Sequence, residues 1–280
     1  MILKLFRSIL PFLLLSFVAQ AQPPIKDGAI LAEFSVSDST KVYFSQGNLQ
    51  YQASTNTWRF AEHQWDYVEK DNENISEKYT GWIDLFGWGT SGYKKIKDDR
   101  YAYFSKHNDI AGTNYDWGVY NAILNGGNKS EMWRTLTERE WFYLVCKRTN
   151  AEMLRNVAHV NGTMGLILLP DNWTKIDSVH FASTTDESKN KHYTLDEWTE
   201  MESMGAVFLP NISNGDGSYW AATCYKILKK YYPAFPQYYW ETAGGDNTAY
   251  CLIFNEEKIS TVAKPRDNKC FVRLVQDVKK

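Results

Sequence analysis

Hydrophobic and polar positions along the chain alternate in short runs, with few stretches at helical spacing. Leu31 to Val36 and Lys41 to Phe44 read as strands, with Asp38, Ser39 and Thr40 as the turn residues between them. After Gly47, Leu49 to Gln52 and Trp58 to Phe60 predict a second hairpin across Ser54 to Thr57. A third is expected from Val157 to Val160 and Gly165 to Leu169, around Asn161-Gly162, a dipeptide suited to a tight hairpin turn. The last third supplies strand candidates at Tyr219 to Tyr225, Ala249 to Asn255 and Cys270 to Val275. Gly205 to Pro210 (GAVFLP) echoes Gly165 to Pro170 (GLILLP), but their flanks differ. The echo therefore reads as a strand-to-loop device rather than a repeat.

One helix start is specified twice over. Thr137 is a good N-cap, and Glu140, three residues on, can reach back to its backbone N–H to complete a capping box. Leu136 and Trp141 take the positions of a hydrophobic staple, and Leu144, Val145 and the stem of Arg148 continue the buried face. Thr194 and Glu197 offer a second capping box for a helix near Thr194 to Met204. Asp116-Trp117-Gly118 begins a helical turn that Asn125 to Asn128 stops. Ile83 to Tyr93 mixes Gly with large aromatics and follows neither period, so it reads as an ordered loop pinned by Phe86 and Trp88. Lys94 to Tyr115 is polar and charged, the pattern of a surface loop.

The ends set the expected address. Lys4 and Arg7 precede an apolar run from Ser8 to Val18 and the small residues Ala19-Gln20-Ala21, which is the pattern of a signal peptide over 1–21. The run is too short to span a membrane, and no later stretch is long and apolar enough. Secretion, to the periplasm or the cell surface, is expected. Loss of Lys4 and Arg7 takes the formal charge of −2 to about −4. A mildly acidic chain without a basic cluster argues against nucleic acid, whose phosphates require a positive footprint. The 44% hydrophobic content can bury a substantial core, and no linker composition divides residues 22–280, so one domain is expected.

Chemistry-bearing residues are scattered. In an oxidising compartment Cys146, Cys224, Cys251 and Cys270 can form one or two disulfides with three complete pairings open, or stay reduced in a large core. They show no CxxC and no zinc spacing with histidine. Glu241, Asp246, Asn247, Glu256, Asp267 and Asn268 carry the hard oxygens calcium takes, but in no calcium-loop order, and solvated loop acids are the expectation. His63, His107, His159, His180 and His192 fall in no hydrolase motif. No catalytic residue, metal or cofactor is expected.

The densest feature is Lys229 to Glu241, where six residues are Tyr, Phe or Trp. Pro233 and Pro236 limit regular structure, so the rings are expected on a loop. Tyr231, Tyr232, Phe235, Tyr238, Tyr239, Trp240 and Glu241 form the candidate ligand-binding set, since rigid amphipathic rings suit sugar stacking or a protein surface. The opposing reading is a long loop folded over its own small core. Thr137, Glu140, Trp141 and Trp220 are expected to be scaffold.

Several stretches also carry a resemblance. Arg134 to Trp141 resembles the R-L-P-T-E-x-E-W helix entry of the formylglycine-generating-enzyme and sulfatase-modifying-factor superfamily, with Thr135-Leu136 in place of Leu-Pro. FSQGNLQY at 44–51, GWIDLFGWGTSGY at 81–93, DWGVYNA at 116–122, GAVFLP at 205–210, GSYW at 217–220, Ala249-Tyr250 and FVRLV at 271–275 extend it over most of the mature chain. Together they are similar to secreted proteins common in Bacteroidetes and related to the Fibrobacter succinogenes major paralogous domain. That resemblance implies an α+β, C-type-lectin-like fold of small twisted antiparallel sheets, few helices and long loops. Relatives often read Trp-Ser-Ser-Thr where this chain has Trp220-Ala221-Ala222-Thr223, and the segment from Lys226 to Thr248 is longer than usual and strongly aromatic. The related oxidases bind copper through two cysteines a few residues apart after a Gly-Gly-Ser-Trp-like strand. Here Gly217 to Trp220 is followed by Cys224 alone, with Cys251 on the next strand able to approach. The implied function is a non-enzymatic module binding a glycan or a surface protein. The alternatives are an oxidase of the sulfatase-modifying type and a structural subunit of a surface assembly.

Overall fold

A computed structural model describes residues 25–74, 76–91, 109–186, 191–212, 215–230, 238–242 and 247–279, with the backbone alone at 226–230 and 238–242. Residues 1–21, expected to be a signal peptide, and the charged stretch 94–108 lie outside the described residues. Among those described, no helix is long and apolar enough to cross a membrane.

The architecture is mixed α+β, mostly small antiparallel sheets with few helices. It begins with β1 (Ile25–Lys26), β2 (Ala29–Ile30), β3 (Phe34–Ser35), β4 (Lys41–Phe44), β5 (Leu49–Gln52) and β6 (Thr57–Phe60), followed by α1 (Trp117–Tyr120). Next come β7 (Arg134–Thr135) and α2 (Glu138–Phe142), which runs on as a π-helical turn over Tyr143–Lys147. The hairpin β8 (Arg155–Val160) and β9 (Thr163–Leu168) forms around Asn161 and Gly162. Their φ of 50° and 78° are the left-handed pair that a type I′ turn demands. β10 (His192–Tyr193), α3 (Leu195–Ser203) and β11 (Val207–Pro210) complete this sheet region. Then come β12 (Gly217–Cys224), β13 (Lys226–Lys230), β14 (Tyr238–Thr242), β15 (Thr248–Phe254), β16 (Ile259–Pro265) and β17 (Leu274–Asp277).

Three larger sheets result. One runs β3-β4-β17-β7, so the last strand is inserted between an early strand and the entry to α2. The second is β12-β15-β16, and the third is β10-β8-β9-β11, in which only the β10–β8 pair is parallel. The echoing GLILLP and GAVFLP runs turn out to be neighbours: β9 pairs β11 with Leu166 opposite Leu209 and Gly165 opposite Pro210. They lack polar alternation because both faces of this sheet are covered. Leu166, Leu168, Val207 and Leu209 join the central core, while Ile167, Leu169 and Phe208 pack on the other side with Trp198 and Met201 of α3. β12 and β15 divide similarly. Tyr219, Ala221, Leu252 and Phe254 face the central core, and Trp220, Ala222, Ala249 and Cys251 face a tryptophan-rich core with Trp58, Trp88, Trp117 and Trp133.

Three expectations change. Cys270 to Val275 is not one strand: the ladder begins at Leu274, while Cys270 and Phe271 make isolated bridges to Phe86 and Tyr219. β16 was not signalled, because its residues are intermediate or exposed and it is the sheet's edge, where burial imposes no alternation. The aromatic segment is not all loop, since β13 and β14 pair as an antiparallel ribbon.

Candidate functional site

The entry to α2 is built as the sequence indicates. Thr137 is extended (φ −72°, ψ 165°), its hydroxyl accepts from the Glu140 N–H, and Glu140 Oε2 accepts from the Thr137 N–H at 2.8 Å. The same carboxylate takes both Nη groups of Arg134, at 2.9 and 2.8 Å, and Arg134 reaches on to Asp277 in β17. Helix entry and C-terminal strand are thus locked together. The staple residues Leu136 and Trp141 are fully buried. Glu138 and Glu140, the one paired-acid motif, are occupied in this scaffold: Glu138 accepts from Thr261 of β16.

Buried tryptophans then pin the loops. Trp88 Nε1 donates to the Ala221 carbonyl at 2.8 Å, Trp117 Nε1 to Thr90 at 2.7 Å, and Trp220 Nε1 to Phe86 at 2.6 Å. Each ring thus fills the core with its body and satisfies its N–H on backbone, tying the 83–93 loop to β12 and to α1. This holds the described part of the 83–93 loop as expected around Phe86 and Trp88. Two buried carboxyls fix neighbouring turns. Asp116 accepts from the Thr135 N–H and hydroxyl and the Gly118 N–H, and burial pushes it up to about 6 against those bonds. Asp84 accepts from Asn72 Nδ2 and the Val68 N–H, and burial pushes it up to about 7.

The aromatic segment leaves and rejoins the sheet beside this core. β12 and β15 pair down to Cys224 opposite Ala249, and the Tyr225 N–H donates to the Thr248 carbonyl. The two chains then continue as β13 and β14, with Lys226 opposite Thr242, Leu228 opposite Trp240 and Lys230 opposite Tyr238. Among the described residues this ribbon pairs with no third strand. Tyr238, Tyr239, Trp240 and Glu241 therefore share one strand. Tyr231, Tyr232 and Phe235, with both prolines, fall between the strands and outside the described residues. The prolines sit in the connection, which is why they do not prevent pairing on either side.

The remaining candidates separate. Among the described residues, which include all four cysteines, there is no disulfide bond. Cys251 does not pair with Cys224: it lies opposite Trp220, with Cys270 the cysteine nearest its thiol. Of the acids proposed around calcium, Glu241 has only its backbone described and Asp246 falls outside. Among the described residues no three His, Cys, Asp or Glu side chains are placed to hold a metal. His107 is also outside; His63 stacks on Trp65, and His180 pairs with Asp186 at 3.0 Å.

One feature was missed. His159 and His192, 33 residues apart in sequence, are register partners on β8 and β10 with rings stacked at 4.4 Å. They line a cleft of about 170 Å³ with Lys191 and Glu256, beside a polar cleft of about 310 Å³ that contains Arg155, Thr184 and Asp186. Burial, then the neighbouring imidazole, pushes His159 down, against the pull of Glu256. The signal was absent because β10 is two residues long and pairs in parallel across a long connection.

Comparison of the chain with protein-family models, with curated proteins and with solved structures finds no match.

Proposed function

We propose that the chain is a secreted or surface-exposed, non-enzymatic binding module that recognises a glycan or a protein through the aromatic ribbon. Its contact set is Tyr231, Tyr232, Phe235, Tyr238, Tyr239, Trp240 and Glu241. We also infer a C-type-lectin-like fold of the Fibrobacter succinogenes major-paralogous-domain type, on the motif order given above. The observation that carries the reading is the ribbon itself. Three of the six rings in residues 229–241 fall on β14, which pairs with β13, and among the described residues this ribbon hydrogen-bonds to no third strand. Tyr and Trp side chains supply large amphipathic contact area with few rotatable bonds, so carrying them on paired backbone keeps the entropic cost of binding small.

The test is a glycan array and polysaccharide pull-down with the full-length protein, run beside a copper titration with thiol protection and a mass measurement across concentration. Saturable glycan binding supports the reading. Stoichiometric thiol-dependent copper binding transfers it to the oxidase alternative, and concentration-dependent oligomers without ligand transfer it to the structural-subunit alternative.

A further inference from the structure

We propose that Cys251 and Cys270 are the one disulfide-forming pair of this chain, cross-linking the middle strand of the β12-β15-β16 sheet to the segment that leads into β17. The placement is set by the backbone. Cys251 lies opposite Trp220 in the ladder, and the Trp220 N–H donates to the carbonyl of Phe271, the residue after Cys270, at 3.0 Å. Cys270 is held from its other side by reciprocal bonds with Phe86, at 3.0 and 3.1 Å. Both side chains belong to the tryptophan-rich core, where the two thiols are close enough to interact.

The other cysteines are placed elsewhere. Cys146 packs on the central core, with Arg155 Nη1 3.8 Å from its sulfur. Cys224 shares the face of Cys251 but stands opposite Ala249, two positions along β15 and past a register shift. Such diagonal neighbours are about 7–8 Å apart, beyond the roughly 4 Å between Cβ atoms that a disulfide needs.

The chemistry is thiol–disulfide exchange with a small-molecule disulfide such as oxidised glutathione. The Cys251 thiolate attacks one sulfur of the oxidant, forming a mixed disulfide and expelling one thiolate. Cys270 then gives its proton to that leaving group or to water and attacks Cys251 Sγ, expelling the second. Two protein thiols and one disulfide become one protein disulfide and two small thiols. Either thiol can open the exchange, since in the open chain neither is buried. Their exposures are 0% and 1%, so exchange takes place while the core is open during folding. Closing a loop of about 20 residues shifts the unfolding equilibrium on the order of 10²-fold.

The test refolds the reduced full-length chain from denaturant with reduced and oxidised glutathione, then reads intact mass and a non-reducing peptide map. It supplies its own oxidant, so it stands or falls independently of ligand binding and address. The expected result is a mass about 2 Da below the reduced chain and a linked peptide pair containing Cys251 and Cys270. Cys146→Ser and Cys224→Ser should keep the oxidation-dependent rise in unfolding midpoint, and Cys251→Ser or Cys270→Ser should abolish it. Four alkylatable thiols after refolding, or a linkage through Cys146 or Cys224, would overturn the proposal.

Discussion

Glu140→Ala is expected to destabilise the protein well beyond a lost helix cap. Glu140 accepts four hydrogen bonds, from the Thr137 N–H, the Thr137 hydroxyl and both Nη groups of Arg134. The reciprocal cap is worth about 1 kcal/mol. The Arg134–Glu140 pair is about four-fifths buried on each side (22% and 18% exposed), so solvent screens it only in part. Bonds of this charged kind are worth about 1.5 kcal/mol or more, and Arg134 keeps Asp277, so its charge is not orphaned. The total is about 2–3 kcal/mol, which for a chain of this size lowers the unfolding midpoint by about 4–10 °C. Glu197→Ala is the internal control: it removes the same box at α3, where the bonds are solvent-exposed and no arginine joins, and about 1 kcal/mol is expected. Chemical denaturation of both variants, with Arg134→Met and the double mutant to close a cycle, measures the coupling directly. Equal losses for Glu140→Ala and Glu197→Ala, or a coupling below about 0.5 kcal/mol, would refute the argument that α2 is tied to β17 through Glu140.

Two further outcomes follow from buried groups. Asp84 and Asp116 sit at about 7 and about 6 in the fold against an ordinary 3.8, so the folded chain holds their protons longer than the unfolded one. Their joint contribution to stability is therefore full below about pH 4, falls as pH rises to about 7, and is level above that. Asp84→Asn should flatten part of this slope in denaturation profiles across that range, and an unchanged slope would show that Asp84 does not titrate there. Gly118→Ala should cost more than about 2 kcal/mol, because its Cβ would stand 2.4 Å and 2.6 Å from the backbone carbon and oxygen of Trp133, which cannot step aside. Thermal unfolding checks it, and a neutral result would mean that this turn is looser than its packing.

What the sequence made legible was local. Capping boxes at Thr137 and Thr194 and the Asn161-Gly162 turn are chemistries completed within a few residues, and each is present in the fold. Illegible were features decided by partners far along the chain. The two echoing apolar runs are adjacent strands that lack polar alternation because α3 covers the second face of their sheet, which no window of either run reveals. The His159–His192 stack needs a parallel pairing across a long connection. β16 is an edge strand with little burial, so its sequence carries no alternation. Of the candidate site, the ring density of 229–241 was visible, but not the pairing that makes two of its stretches a ribbon. The prolines that seemed to oppose strand lie in the connection.

The most direct measurement of the central claim is equilibrium binding by the full-length protein and by a variant with Tyr231, Tyr232, Tyr238, Tyr239 and Trp240 changed to alanine. Both are titrated with the best polysaccharide or protein partner from the binding screen, with circular dichroism confirming that both are folded. The expected result is saturable binding by the parent and a loss of about two orders of magnitude or more in the variant, as befits removal of several aromatic anchors. Full retention of affinity by a folded variant would contradict the account and return the ribbon to the role of packing.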